Sequence, residues 1–244
     1  MIDDLTKHER PTPRSMTILI PAYNEAECIE ECVRRVIAAP KRGLAFDIVI
    51  SDNVSTDGTR DILAKMDDPK IKVILRDTHS GKGANVRTAL AAATGDIVLI
   101  QDADLEYNPK DYEDVLEPFF EADADVVYGS RLAGARYFRV IGVANFLANK
   151  ALTWSANLLY NRIFTDIETA TKVFRREVIQ GIPLISESFE IEPEMTAKLC
   201  KIKGIRIFEV PITHVARSYD EGKKVRWWHF FTSLWALIRW RVSG

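Results

Sequence analysis

The sequence predicts an α/β fold built on a mostly parallel central sheet with helices on both faces. Three observations carry this. Apolar runs alternate with amphipathic helical stretches five times between Thr17 and Tyr128. Each strand-like run is largely apolar, which suits strands buried on both faces. The 244-residue chain is 47% hydrophobic and 28% charged, enough to bury roughly 70–75% of its unfolded surface without disulfide staples.

The elements follow in order. Residues 1–15 are polar with two prolines and read as a flexible leader without the apolar segment of a signal peptide. Thr17–Ile20 is a buried strand ending at Pro21, followed by a helix over Glu25–Ala38 and a strand over Phe46–Ser51. Ser55, Thr56 and Asp57 supply capping oxygens to a helix beginning near Asp57. Ile71–Leu75 is a third strand, Ala84–Ala93 an alanine-rich helix and Ile97–Gln101 a fourth strand. A helix after Pro109 and a strand over Asp125–Tyr128 complete the repeats. Beyond them, Val140–Phe164 is a long helical stretch whose only charges are Lys150 and Arg162. A strand at Thr171–Phe174, a helix at Glu192–Lys203, a strand at Ile205–Val210 and a helix over about Val225–Trp240 close the chain. The organisation expected is a leader (1–15), one domain (16–222) and a basic, tryptophan-rich amphipathic helix (223–244).

Cys28, Cys32 and Cys200 are the only cysteines. An odd count excludes a disulfide framework and suits a reducing, cytoplasmic setting. Cys28 and Cys32 have no second pair with which to hold zinc. No 18-residue apolar stretch is free of charge, so no transmembrane helix is expected. The net charge is −2, yet residues 201–244 hold nine Lys/Arg against three Asp/Glu. The first 200 residues therefore carry −8, an acidic body unsuited to nucleic acid.

Parallel sheets bind ligands beyond the carboxyl ends of their strands. Those loops are acidic here. Pro21-Ala22-Tyr23-Asn24-Glu25 contains no glycine, which excludes a dinucleotide fingerprint. Asp52, at the end of the second strand, can accept hydrogen bonds from a base or ribose. Ser80-Gly81-Lys82-Gly83 opens a helix, where free N–H groups favour phosphate, although it is not a Walker loop. Asp102-Ala103-Asp104-Leu105-Glu106 places acids at alternate positions leaving a buried strand. A hard divalent cation compensates their repulsion, and magnesium typically takes one or two carboxylates plus substrate phosphates.

This ordered set resembles the family 2 glycosyltransferases of GT-A fold. It is most similar to the dolichyl-phosphate mannosyltransferase branch and its bacterial polyprenyl-phosphate relatives. The resemblance continues through Gly129-Ser130-Arg131, Thr165-Asp166-Ile167-Glu168-Thr169, Phe189-Glu190-Ile191-Glu192-Pro193-Glu194 and Arg217…Gly222-Lys223-Lys224. It implies that Pro21, Tyr23, Glu25 and Asp52 line a nucleotide pocket with Lys82 nearby. It also implies that Asp102 and Asp104, with Glu106, hold Mg²⁺ or Mn²⁺ on the donor diphosphate. Arg131, Arg217 and Lys223 are implied to neutralise phosphate on donor or acceptor. The implied reaction is inverting transfer of a hexose from a GDP- or UDP-sugar to a polyprenyl or dolichyl phosphate. A phosphate acceptor is already a dianion near neutrality, its second pKa being about 6. A hydroxyl acceptor would need a general base, for which Asp166 and Glu192 are the candidates. Relatives carry an aromatic residue where Ala170-Thr171 precede Lys172, a departure that bears on substrate preference.

Four of the five tryptophans (Trp227, Trp228, Trp235, Trp240) lie near Lys223, Lys224, Arg226, Arg239 and Arg241. Aromatics flanked by cations suit a peripheral helix on the anionic cytoplasmic face of a membrane. The Val140–Phe164 stretch is expected to join it or to meet a second copy in a homo-oligomer. Two competing readings are transfer to a saccharide or other soluble hydroxyl, and a catalytically silent subunit of a membrane complex.

Overall fold

A computed structural model describes residues 3–134, 139, 142–216 and 228–242. Seven strands form one sheet: β1 (Ser15–Ala22), β2 (Ala45–Asp52), β3 (Ile71–Leu75), β4 (Ile97–Ile100), β5 (Val126–Ser130), β6 (Lys172–Arg175) and β7 (Ile207–Pro211). Their order is β3-β2-β1-β4-β6-β5-β7. All neighbours are parallel except β6, which runs antiparallel to both β4 and β5. The α/β class with a mostly parallel sheet is therefore as expected. The insertion of β6 separates β4 from β5, so the five early repeats do not lie side by side.

Alternate residues of each strand enter opposite cores. Ile18, Ile20, Ile48, Ile50 and Leu99 pack under α1 (Ile29–Ala38) and α4 (Tyr112–Glu121). Leu19, Val49, Val98, Val126 and Phe174 pack under α3 (Lys82–Ala91), α5 (Val143–Tyr160), α7 (Ile191–Lys201) and α8 (His229–Val242). Both faces exclude water, so the strands contain no polar alternation for the periodicity to show.

Several boundaries differ from expectation. α1 starts at Ile29, not Glu25. Asn24 takes a left-handed φ of 51°, and Glu25 O accepts the N–H groups of both Cys28 and Ile29 in a turn. α2 (Thr59–Leu63) follows Gly58, whose φ is 100°. Asp57 accepts from Thr59 N at 3.0 Å and Ala26 N at 3.0 Å, and Ser55 Oγ accepts from Asn24 N at 2.9 Å. These oxygens stitch the loop after β2 to the loop after β1.

The leader is pinned. Leu5 is buried, and Arg10 donates to both carboxylate oxygens of Asp125 at 2.8 and 2.9 Å. Asp125 is itself fully buried, so the arginine compensates a desolvated charge. All three cysteines are free thiols. Among the described residues, no helix is long and apolar enough to cross a membrane.

Candidate active site

The loops at the carboxyl ends of β1, β2 and β4 open into a cleft of about 840 Å³. α5 and the start of α8 wall its far side. Pro21, Tyr23, Glu25, Lys82, Asp102, Asp104, Glu106, Arg131 and Glu192 all line it. Sequence positions 21 to 192 thus converge on one space.

At one end the loops are tied from below. Asn85 on α3 is buried and donates to Ala22 O at 3.1 Å and Ser51 O at 2.8 Å, gathering the ends of β1 and β2. Asn53 Oδ1 accepts from Arg76 Nη1 at 2.8 Å and Ser80 N at 3.0 Å. The Tyr23 and His79 rings stand 4.7 Å apart beside it. Asp52 lies behind this wall. It is fully buried, accepts from Ser55 N at 3.1 Å and faces Arg60 at 3.6 Å, and does not line the cleft.

The Gly-Lys-Gly segment has a packing reason. A Cβ on Gly81 or Gly83 would run into the backbone of residues 186–188. Glu187 O also accepts the first-turn N–H of Ala84 at 3.0 Å. The glycines let α3 approach that loop, and one donor of the helix end is already used. Lys82 is thereby fixed in the cleft, 2.9 Å from Asp102 Oδ1 and 3.3 Å from Glu192 Oε1.

Asp102, Asp104 and Glu106 sit together on the loop after β4. Burial, then repulsion from Asp102 and Glu106, pushes the Asp104 carboxyl up to about 7. Asp104 Oδ1 accepts from Glu106 N at 3.1 Å. Glu106 Oε2 lies 3.0 Å from His214 Nε2, and the His214 ring packs at a tilt against Tyr107, with centroids 4.9 Å apart. Among the described residues, no group of three or more His, Cys, Asp or Glu side chains is set to hold a metal by itself. The oxygen donors nevertheless fit a hard cation that completes its shell with phosphate oxygens, since such an ion needs only one or two carboxylates.

The two candidate bases are both ion-paired. Asp166 is fully buried beneath Arg131, which binds it through Nε at 2.6 Å and Nη2 at 2.7 Å. Burial works against its charge, but Arg131 holds the carboxyl below the usual range. Glu192 lies between Lys172 at 2.5 Å and Lys82 at 3.3 Å. These two ammonium groups overcome burial and lower its pKa as well. Burial likewise opposes the charge on Lys82, yet Asp102 and Glu192 raise its pKa above the usual value.

Arg217 and Lys223 lie outside the described residues, as do Lys224, Arg226 and Trp227. Sequence reading gave no role to Tyr107, His214, Asn145 or Asn149, and none specific to Glu168; all five line the cleft. Asn145 and Asn149, one helical turn apart in an otherwise apolar stretch, were a legible signal. Tyr107 and His214 were not, because they meet only when the segment after β7 pairs back across the sheet end. Of the residues that depart from the family pattern, Ala170 lines the cleft and Thr171 is buried.

Comparison with known proteins bears on the family and the fold. The chain is 33% identical over 212 residues to the glycosyltransferase AglJ of Haloferax volcanii, covering 85% of this chain and 65% of that protein. It is 31% identical to the dolichol-phosphate mannosyltransferase of Pyrococcus furiosus, covering 85% and 58% respectively. It is 32% identical to the undecaprenyl-phosphate mannosyltransferase of Micrococcus luteus, covering 86% and 87%. The chain thus spans less than two-thirds of the length of the first two relatives. Among solved structures, glucosyl-3-phosphoglycerate synthase of Mycobacterium tuberculosis, in complex with Mn²⁺ and uridine-diphosphate-glucose, superposes with a TM-score of 0.69 at 19% identity, over 93% of this chain and 79% of that one. Mannosyl-3-phosphoglycerate synthase of Rubrobacter xylanophilus gives 0.70 at 21% identity, over 99% and 77%. These likenesses establish the fold, the GT-A arrangement. The family model for glycosyl transferase family 2 matches residues 17–181, most of the strands and loops that build the cleft, and the chain belongs to that family.

Proposed function

We propose that the protein transfers a hexose, with inversion, from a nucleotide sugar to a polyprenyl phosphate. The observation that carries this reading is the state of the two candidate bases. Asp166 and Glu192 are held ionised by Arg131, Lys172 and Lys82, which makes both poor proton acceptors. A phosphate acceptor needs no proton removed, whereas a hydroxyl acceptor does. Two relatives are named for transfer to dolichol phosphate and undecaprenyl phosphate, in agreement with this choice.

The residues divide the work along the cleft. Pro21, Tyr23 and Glu25, beside Asn53 and His79, form the wall for the nucleoside. Mg²⁺ or Mn²⁺ held by Asp102 and Asp104, with Glu106, would supply positive charge to the leaving diphosphate. Lys82 places a fixed ammonium beside the same carboxylates, ready for charge that develops as the anomeric C–O bond breaks. Arg131 offers its remaining guanidinium edge to an acceptor phosphate while Asp166 fixes its orientation. The phosphate oxygen attacks the anomeric carbon as the nucleoside diphosphate departs, one displacement and hence inversion. Arg217 and Lys223 are proposed as further phosphate ligands.

The acceptor implies a membrane surface, and the protein is proposed to work peripherally on its cytoplasmic face. α5 and α8 are joined through Tyr160 Oη, which donates to Leu237 O at 2.7 Å. The pair leaves Trp154, Leu158, Trp235 and Phe231 exposed, a band suited to the lipid interface.

The test is direct. The purified protein is incubated with Mn²⁺, GDP- and UDP-hexoses and a short-chain polyprenyl phosphate. Mass spectrometry should find the glycosyl phospholipid, and NMR an inverted anomeric centre. Transfer to soluble hydroxyls alone, with no glycolipid from any donor, would overturn the reading.

A further inference from the structure

Glu168 is a cleft-lining carboxyl near the two buried ion pairs that belongs to neither. Its neighbours in charge are Lys172, Glu192, Arg131 and Asp166, and those four are matched with one another. Half-buried Glu168 lines the cleft, and its Oε1 has no hydrogen-bond partner among the described residues. Buried acceptors are ordinarily satisfied, and a ligand hydroxyl entering beside this carboxyl would supply the missing partner. Burial, against the pull of Lys172 and with repulsion from Glu192, lifts its carboxyl to about 7. Near neutrality it therefore presents an O–H donor as well as an acceptor, the combination that matches a hydroxyl.

α5 brings a second set to the same space. Asn145 and Asn149 stand one helical turn apart and line the cleft together with Ala144, Ala148 and Leu152. Each amide offers two donors and an acceptor. The donor's own connectivity says which part of it meets them. The nucleoside wall and the Lys82–Asp102 pair account for base, ribose and diphosphate. Glu192 bridges Lys82 to Lys172, and Lys172 is the charge that acts most on Glu168, so this carboxyl is assigned to the sugar that follows the diphosphate.

We propose that Glu168, with Asn145 and Asn149, forms the subsite that reads the hydroxyls of the transferred hexose and so sets which epimer is accepted. This rests on the nucleotide-sugar reading above. On that reading the phosphate acceptor needs no base, so Glu168 is assigned to specificity, and the Glu168→Gln variant tests the alternative that it accepts a proton.

The experiment compares the full chain with Glu168→Gln, Glu168→Ala and the double change Asn145→Ala/Asn149→Ala. Calorimetry with GDP and UDP alone measures the nucleotide half. Steady-state transfer to a short-chain polyprenyl phosphate uses epimeric donors, GDP-mannose against GDP-glucose and UDP-glucose against UDP-galactose. Nucleoside diphosphate affinity should be unchanged. KM for the preferred donor should rise, and its kcat/KM advantage over the epimer should fall by about tenfold or more in Glu168→Ala and in the double variant, the effect of losing a hydrogen bond to a well-placed polar group. Glu168→Gln, nearly isosteric, should keep the fold and part of the preference. An unchanged epimer ratio in all variants overturns the proposal. So does an equal loss of kcat with every donor in Glu168→Gln, which would mark a proton acceptor. A wild-type protein that binds neither GDP nor UDP removes the nucleotide-sugar reading and this subsite with it, a result distinct from both.

Discussion

Asp104 ties the cleft to pH. Its carboxyl is raised to about 7 in the folded protein, against about 4 when unfolded. The contribution of a raised carboxyl to stability is present below the unfolded value and is lost as pH rises through 7. A divalent cation reverses that loss by binding the ionised form. The rise in Tm on adding Mn²⁺ should therefore be larger at pH 8 than at pH 5.5, and Asp104→Asn should remove the difference. Asp104→Ala should abolish both transfer and Mn²⁺-dependent nucleotide binding while the fold persists; full turnover in excess chelator would sink the metal assignment. Arg131 makes the opposite demand, because it neutralises fully buried Asp166. Arg131→Ala leaves that charge unpaired and should cost about 3–5 kcal/mol in urea unfolding, while Arg131→Ala/Asp166→Asn should cost less. The pair's contribution is present above the unfolded pKa of Asp166 and lost as pH falls through its lowered folded value. An arginine used only for acceptor phosphate would leave unfolding unchanged.

α3 shows how an element can place a functional group by packing. Its N-terminus is pressed against residues 186–188, with Arg87 donating to Ser186 O and Ala84 N donating to Glu187 O. Gly83→Ala puts a methyl group into that backbone. The expected result is destabilisation of about 1–3 kcal/mol, together with a higher KM for the donor, because the displaced helix carries Lys82. If Gly83 served only to admit phosphate, affinity would fall with no change in Tm. The same element explains why Ser80-Gly81-Lys82-Gly83 reads as a phosphate loop: small residues at a helix start serve close backbone approach equally well, and the partner backbone lies about a hundred residues away in sequence.

At the scale of the molecule, the acidic body and the basic carboxyl-terminal region are proposed to serve two partners. The acids gather at the sheet end, where the proposed donor and cation bind. The basic, aromatic end and exposed Trp154 and Trp235 offer themselves to a surface. The proposed attachment uses burial of these side chains and charge. Anionic liposomes should co-float with the protein at low salt, and salt should weaken binding within a Debye length of about 10 Å at 0.1 M. Lys223, Lys224 and Arg226 changed to Gln should remove the salt-sensitive part, at about 1 kcal/mol per charge. Trp154→Ser/Trp235→Ser should weaken what remains. Absence of flotation at low salt would refute the membrane reading.

The fold class was legible in the sequence because hydrophobic periodicity is local: a strand buried on both faces is mostly apolar along its length. The acids after β4 were legible because Asp102, Asp104 and Glu106 leave one strand together. What the sequence left open joins distant residues. Strand β6, four residues of which the first and last are charged, finds its place only by pairing with both β4 and β5. The leader looks loose until Arg10 meets Asp125, 115 positions away. Asp166 and Glu192 look like free bases until Arg131, Lys172 and Lys82 reach them. Residue type and spacing determined which groups were available for chemistry; tertiary contact alone decided their protonation, because a pKa is set by burial and by the charges brought alongside.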